Sequence, residues 1–155
     1  MPTFELLLEG PAVSLRAAKK HATRYQAWIR KVRTAAENAW PSAISPVLGD
    51  VTVTITNIFT EEPPDVDNIV KPILDALCKV AYVDDRQVIR VISQKFDMTY
   101  AIKIDEHTHN VILVSSQTSD QEGAIKIDPI TSLLAEGLAR YSELIHVEVV
   151  WDRKE

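Results

Sequence analysis

Residues 51 to 80 contain a strand followed closely by an amphipathic helix, and this pair limits what the chain can fold into. Val51–Phe59 alternates apolar with polar residues and is rich in β-branched side chains, a pattern typical of a strand. Prolines at 63 and 64 then predict a turn. After it, apolar residues recur with helical spacing: Ile69, Pro72, Ile73, Ala76, Leu77 and Val80. This stripe predicts a helix on a core, regular from about Val70, with Pro72 in its first turn.

The remaining sequence supplies more strands and two further helices. Ser14 is a predicted N-cap for a long helix that runs to Trp40, and Thr131 or Ser132 caps a short helix through Ala139. The other predicted strands are Thr3–Leu8, Val88–Phe96 and Leu144–Trp151, and Tyr100–Ile104 with Val111–Val114 are candidates to extend the sheet.

No internal repeat or long linker divides the chain. The pattern therefore predicts a single domain over 1–155 of the α+β class, a mixed β-sheet packed with two main helices. Residues 129–151 are expected to form a C-terminal helix-strand extension of the same domain. Trp28 and Trp40 are expected in the core or at a dimer contact.

Composition excludes several classes of protein. The chain has 155 residues, of which 46% are hydrophobic and 25% charged, and this is ordinary for a globular domain. One cysteine excludes an internal disulfide framework. No apolar run approaches the roughly 18 residues of a membrane helix, and no signal-peptide core is present. We therefore expect a cytoplasmic protein without a membrane partner.

The net charge of −5 conceals a basic segment. Between Gly10 and Ala36 there is no Asp or Glu, but there are seven basic residues: Arg16, Lys19, Lys20, Arg24, Arg30, Lys31 and Arg33. Phosphate groups respond to the local field more than to the total charge, so this segment is a candidate DNA-binding surface. The alternative is an ordinary solvated helix face.

Two aspartates follow the predicted strand and turn. Asp65 and Asp67 are two residues apart, so in an extended chain their side chains project to the same side. Neighbouring carboxylates repel each other unless a cation lies between them. A hard divalent ion such as Mg²⁺ or Mn²⁺ relieves that repulsion and prefers oxygen ligands.

Further polar residues accompany the helix. Asn68, Lys71 and Asp75 have spacings that place them on one helical face, away from the apolar stripe. Asp84 and Asp85 follow the helix and can return a third carboxylate toward it. Aspartates and a lysine around a cation suit phosphodiester hydrolysis. Taken singly, these residues are also typical of turns, helix caps and surface ion pairs.

The whole pattern is similar to a known family. Asp65-x-Asp67-Asn68-x-x-Lys71-x-x-x-Asp75-Ala-Leu, followed by Asp84-Asp85-x-x-Val88, resembles the signature of the RusA family of crossover-junction endodeoxyribonucleases. The likeness extends from the first strand to the strand after Asp85, and 129–151 resembles one branch of the family. The resemblance implies a homodimer of mixed α/β subunits. It also implies Mg²⁺-dependent cleavage of branched DNA, such as Holliday junctions, in recombination and repair.

The resemblance also implies roles for individual residues. Metal binding is implied for Asp65, Asp67 and Asp85, with Asp84 not separable from its neighbour, and Lys71 is implied to be catalytic. Asn68 and Asp75 are implied to orient the metal ligands. One departure is the segment 61–64, Glu-Glu-Pro-Pro, where RusA itself carries arginines. Two alternatives stay open: a nuclease for other branched or foreign DNA, and a non-cleaving DNA-binding module of the same fold.

Overall fold

The computed structural model describes residues 2–59, 63–97, 102–104, 111–113, 125–126 and 143–152. The helices are α1 (Ala17–Lys20), α2 (Ala22–Ala39) and α3 (Val70–Leu77), and a 3₁₀ turn spans Asp85–Gln87. The strands are β1 (Thr3–Glu9), β2 (Val51–Phe59), β3 (Val88–Asp97), β4 (Ile102–Ile104), β5 (Val111–Leu113), β6 (Ile125–Lys126) and β7 (Glu143–Trp151).

The main sheet has four strands in the order β1-β7-β2-β3. β7 is antiparallel to both β1 and β2, whereas β2 and β3 run parallel. Parallel neighbours need a crossover connection, and α3 lies in the segment that connects them. The predicted α+β fold with a mixed sheet is confirmed, and the crossover through α3 is the part of it that carries the acidic motif.

The core lies between the sheet and the two longer helices. α2 buries residues at steps of three and four: Tyr25, Trp28, Val32 and Ala36. α3 buries the predicted stripe through Leu77, and Pro72 lies in its first turn as expected. The core also takes in Trp28 and Trp40, which expose only 4% and 8% of their surfaces. Apolar burial therefore fixes which face of each helix remains for polar chemistry.

The single long helix predicted from Ser14 to Trp40 is divided into two helices. His21 leaves helical geometry, with φ −135° and ψ 55°, and separates α1 from α2. Ser14 is also not the cap, because Arg16 occupies that position. α1 buries no residue, so packing does not require its axis to continue that of α2. Apolar spacing alone therefore gave no signal for the break.

Strands β4 and β5 do not extend the main sheet, contrary to the prediction. β4 and β5 pair antiparallel with each other and, with β6, form a separate three-stranded sheet. Successive short strands can satisfy their hydrogen bonds locally in this way. The helix predicted at Thr131–Ala139 lies outside the described residues. No helix within the described ranges is both long and apolar enough to span a membrane.

Candidate functional site

Asp65 and Asp67 lie in a turn that directly precedes α3. The Asn68 N–H donates to the Asp65 carbonyl at 3.0 Å, which closes the turn. The prediction of an extended Asp65–Asp67 segment is therefore wrong, because Asp and Asn favour a turn at this position. Asn68 consequently belongs to the turn and not to the helix that carries Lys71. Both aspartates are exposed to solvent.

Two contacts fix this turn to the rest of the fold. The Ser93 hydroxyl, on β3, donates to the Val66 carbonyl at 2.6 Å. The Leu15 N–H, just before α1, donates to the Asn68 carbonyl at 2.8 Å. The acidic turn is thus tied on one side to the sheet and on the other to the basic segment. Sequence reasoning missed Ser93, since nothing in its local pattern marks it.

Lys71, in the first turn of α3, lies between two carboxylates. Its Nζ is 2.5 Å from Asp75 Oδ1 and 3.3 Å from Asp85 Oδ2. The Lys71–Asp75 spacing along α3 confirms that these two residues share a helical face. The hydrogen bond to Asp75 is the main cause that raises the pKa of Lys71 above its ordinary value, and Asp85 raises it further. Lys71 is therefore a fixed cation at neutral pH and not a proton acceptor.

The adjacent aspartates 84 and 85 have different surroundings. Asp84 caps the 3₁₀ turn: its Oδ1 accepts from the Arg86 N–H at 2.9 Å and from Arg86 Nε at 3.1 Å. Hydrogen bonds from the Arg86 side chain, above all, hold the pKa of Asp84 below its usual value. Asp85, in contrast, contacts Lys71. The geometry thus separates two residues that the sequence left equivalent.

Gln87 holds the segment that carries Asp85, and sequence reasoning gave it no role. Its Oε1 accepts from the N–H groups of Val83 and Asp84, each at 2.8 Å. Its Nε2 donates to the carbonyls of Val47 at 2.8 Å and Gly49 at 2.7 Å. The Asp84-x-x-Gln87 pattern is a capping box, and this signal was present in the sequence.

Arg33 and Tyr82, which lie outside α3, donate hydrogen bonds to its backbone carbonyls. Arg33 Nη2 donates to the Asp75 carbonyl at 2.9 Å and its Nε to the Ala76 carbonyl at 3.3 Å. Arg33 is one of the candidate DNA-contacting residues, and in the fold its guanidinium joins α2 to the end of α3. The Tyr82 hydroxyl donates to the Leu74 carbonyl at 2.7 Å, and burial is the main cause that raises the pKa of Tyr82. Neither role has a signal in the local sequence, since the acceptors are backbone carbonyls.

The other basic residues of the segment are exposed, and five of them line two clefts. One cleft contains Arg16, Lys20 and Arg24, and the other contains Arg30 and Lys31. Lys31 Nζ donates to the Glu9 carbonyl at 2.9 Å and lies 3.6 Å from the Glu9 carboxylate. The basic segment is therefore divided between residues with local partners and residues open to a ligand.

The donor chemistry of the site fits a hard divalent cation. Asp65, Asp67 and Asp85 offer carboxylate oxygens, and in the described part of the chain neither Asp65 nor Asp67 forms an ion pair. Within the described part of the chain, no three side chains of Asp, Glu, His or Cys lie close enough together to hold a metal by themselves. Mg²⁺ is usually held by one or two carboxylates together with water and substrate phosphate oxygens, so a complete protein cage is not required.

Comparison with known proteins gives the family. Residues 14–105, more than half of the chain, match the family model described as Endodeoxyribonuclease RusA. Comparison with curated proteins gives no match. The fold and the family match together define a DNA-cleaving hydrolase class. The chain belongs to the RusA family of endodeoxyribonucleases. The matched range includes the acidic turn, α3, Asp85 and all seven basic residues of the basic segment, whereas β1 and the resemblance at 129–151 lie outside it.

Proposed function

We propose that this protein is a divalent-cation-dependent endodeoxyribonuclease that resolves Holliday junctions in DNA recombination and repair. One observation carries the proposal. Lys71 is fixed between Asp75 and Asp85 and directly follows a turn that exposes Asp65 and Asp67, in a chain of the RusA family. A cation and several carboxylates next to each other are the groups that metal-assisted cleavage of a phosphodiester needs.

Asp65, Asp67 and Asp85 are the residues that would hold Mg²⁺, or Mn²⁺ in its place. Asp84 is not included, because its carboxylate is engaged by Arg86. The metal, when bound, polarises a non-bridging phosphate oxygen and lowers the pKa of a bound water. Asn68 closes the turn that presents Asp65 and Asp67, so its role is to position those carboxylates.

Lys71 supplies fixed positive charge beside the scissile phosphate. Its raised pKa keeps the ammonium protonated at neutral pH, so it can donate hydrogen bonds to phosphate oxygens. Charge on those oxygens grows as water attacks phosphorus, and a cation already in position stabilises that charge without reorganising. Asp75 has no part in the chemistry itself: it orients Lys71 through their hydrogen bond.

The choice of a four-way junction as substrate rests on the family resemblance. A homodimer would place two active sites related by two-fold symmetry, which matches the need to nick two strands of a junction. The basic segment between Gly10 and Ala36 supplies the contacts to the DNA backbone. Forks, flaps and foreign linear DNA are the competing substrates.

A cleavage assay tests the proposal. The purified chain is incubated with a synthetic four-way junction, a fork and a linear duplex of matched sequence, each with Mg²⁺, with Mn²⁺ and with chelator. We expect paired nicks near the branch point of the junction in either metal and none in chelator. Equal cutting of the linear duplex would show that the enzyme is not specific for junctions. If no substrate is cut, the protein is a DNA-binding module without cleavage activity.

Asp67→Asn tests the acidic turn within the same assay. Loss of one carboxylate ligand is expected to reduce junction cleavage by at least about 100-fold. Binding of the junction, measured by a gel shift without metal, is expected to stay equal or become tighter, because negative charge is removed from a phosphate-binding surface. Asp50→Asn is the matched control, since Asp50 is also exposed and precedes β2. Normal cutting by Asp67→Asn would show that Asp67 is not a ligand.

A further inference from the structure

A cleft lies beside the acidic turn, between α1, the start of α2 and the segment before Asp65. Its volume is about 330 Å³. Charged or titratable side chains line it at four positions: Arg16, Lys20, His21 and Arg24. Val13 and Pro64 contribute apolar walls. The cleft therefore combines concave shape with a high density of positive charge.

The three permanent cations of this cleft are not neutralised within the described structure. Arg16, Lys20 and Arg24 stand at steps of four residues, and all are exposed. None of them forms an ion pair with a described residue, and no described residue that lines the cleft is acidic. Like charges that line one cleft repel, so an anion bound among them would relieve an unfavourable arrangement.

The second cleft of the basic segment differs in this respect. It is lined by Arg30 and Lys31, but Glu9 also lines it and bonds Lys31. Arg33, further along α2, is occupied by carbonyl groups of α3. Positive charge is therefore available for a ligand mainly in the N-terminal half of the segment, around Arg16, Lys20 and Arg24.

The cleft is joined to the proposed active site through the backbone. Pro64, which lines the cleft, directly precedes Asp65. Leu15, which precedes Arg16, donates its N–H to the carbonyl of Asn68 at 2.8 Å. The Ala12 N–H, at the inner wall, donates to the buried carboxylate of Glu143 at 3.0 Å and so fixes that wall to β7. An anion in the cleft would be held at a defined position relative to Asp65 and Asp67.

We propose that this cleft is a subsite for one backbone phosphate of the bound DNA, next to the phosphate that is cleaved. The inference rests on the proposed function and narrows it, because it assigns phosphate positioning to Arg16, Lys20 and Arg24 and not to the basic segment as a whole. Guanidinium groups can grip a phosphate with paired hydrogen bonds, and the lysine adds a point charge. Holding a neighbouring phosphate sets the register of the strand across the acidic turn.

A pair of matched arginine variants tests the subsite. Arg24→Gln and Arg30→Gln each remove one exposed arginine from α2, the first from this cleft and the second from the other. Affinity for a four-way junction is measured by fluorescence anisotropy in chelator at several salt concentrations, and circular dichroism checks folding. Arg24→Gln is expected to weaken binding about 10-fold and to lower the salt-dependence slope by about 1, as loss of one phosphate contact predicts. Lys20→Gln should behave alike. Arg30→Gln should weaken binding clearly less than Arg24→Gln, because Glu9 also lines the cleft of Arg30.

Equal weakening by Arg24→Gln and Arg30→Gln would overturn the subsite, because it would indicate diffuse attraction along the whole helix. No weakening by either would overturn it as well. The proposed nuclease function and the proposed phosphate subsite can be disproved independently of each other. If the wild-type protein binds with the expected pattern but cuts no DNA, the nuclease assignment is wrong and the subsite stands. If it cuts junctions and Arg24→Gln binds normally, the subsite alone is wrong.

Discussion

The acidic residues around α3 form two sets, which differ in whether they have a cationic partner. Asp75 and Asp85 both contact the ammonium group of Lys71. Asp65 and Asp67, in the turn before the helix, are exposed and have no cationic partner among the described residues. The first set thus has a cationic partner within the protein, and the second has none among the described residues.

This difference indicates how the motif divides its work. Two carboxylates hold a lysine in place without help from a ligand, so they can position a catalytic charge before substrate arrives. Two carboxylates in one turn without a counter-charge repel each other if they approach, and a divalent cation relieves that repulsion. Asp85 belongs to the first set because it contacts Lys71. Its proposed role as a metal ligand is the one that it shares with the second set. It is therefore the residue where the two sets meet.

Asp84 and Asp85 provide the strongest way to break this comparison. Asp85→Asn is expected to lower junction cleavage by at least about 100-fold, because it removes a proposed metal ligand and a partner of Lys71. Asp84→Asn is expected to leave the cleavage rate close to that of wild type and to lower the Tm slightly through the weakened cap. Single-turnover cleavage and thermal melting measure both. A larger activity loss for Asp84→Asn would reverse the assignment made here.

Asp75→Asn sharpens the distinction between positioning and ligation. The variant keeps the metal ligands but weakens the hydrogen bond that orients Lys71, so the single-turnover rate is expected to fall about 10-fold. Affinity for the junction and for Mn²⁺ should be unchanged. Glu37→Gln, at an exposed acid near the end of α2, is the control. A matching loss of Mn²⁺ affinity in Asp75→Asn would make Asp75 a ligand instead.

Tyr82→Phe tests how far the first set depends on the support of α3. Loss of the bond to the Leu74 carbonyl is expected to cost about 1 kcal/mol of unfolding free energy. The Leu74 carbonyl keeps its bond from the Cys78 N–H at 3.1 Å, so the effect stays small. Urea denaturation at pH 8 measures the difference between variant and wild type.

The difference in unfolding free energy between wild type and Tyr82→Phe is expected to change with pH in one direction. Burial raises the folded-state pKa of Tyr82 above the ordinary value of 10.0, so above that pH the folded state binds more protons than the unfolded state. The stabilising contribution of Tyr82 is complete below pH 10 and declines as pH rises further. The gap between wild type and Tyr82→Phe should therefore narrow above pH 10. A gap that stays constant would contradict the burial of this hydroxyl.

The sequence predicts the elements whose apolar pattern matches their burial. β2 alternates between buried and partly exposed residues through Thr54, as its apolar pattern predicts, and residues 55–58 are all buried. α3 carries a complete apolar stripe, which faces the core. The position of Lys71 and Asp75 on the opposite, polar face could therefore be predicted. These features depend on periodicity along the chain, and periodicity is visible in one sequence.

Other features depend on contacts between distant segments, and the local sequence does not contain them. The break at His21 changes no apolar spacing, so the two helices were predicted as one. The different partners of Asp84 and Asp85 follow from a 3₁₀ turn whose glutamine bonds the segment before β2. The bond between Arg33 and the end of α3 joins residues more than 40 positions apart. Charge and residue type alone predicted a DNA contact there.

Direct measurement of metal binding tests the central claim, that an unneutralised acidic turn and Asp85 together hold a divalent cation. Mn²⁺ is titrated into the DNA-free protein and followed by electron paramagnetic resonance, for wild type, Asp67→Asn, Asp85→Asn and Asp84→Asn. We predict that wild type and Asp84→Asn bind Mn²⁺ alike, and that Asp67→Asn and Asp85→Asn each lose at least about 10-fold in affinity. Undiminished binding by both Asp67→Asn and Asp85→Asn would contradict the account.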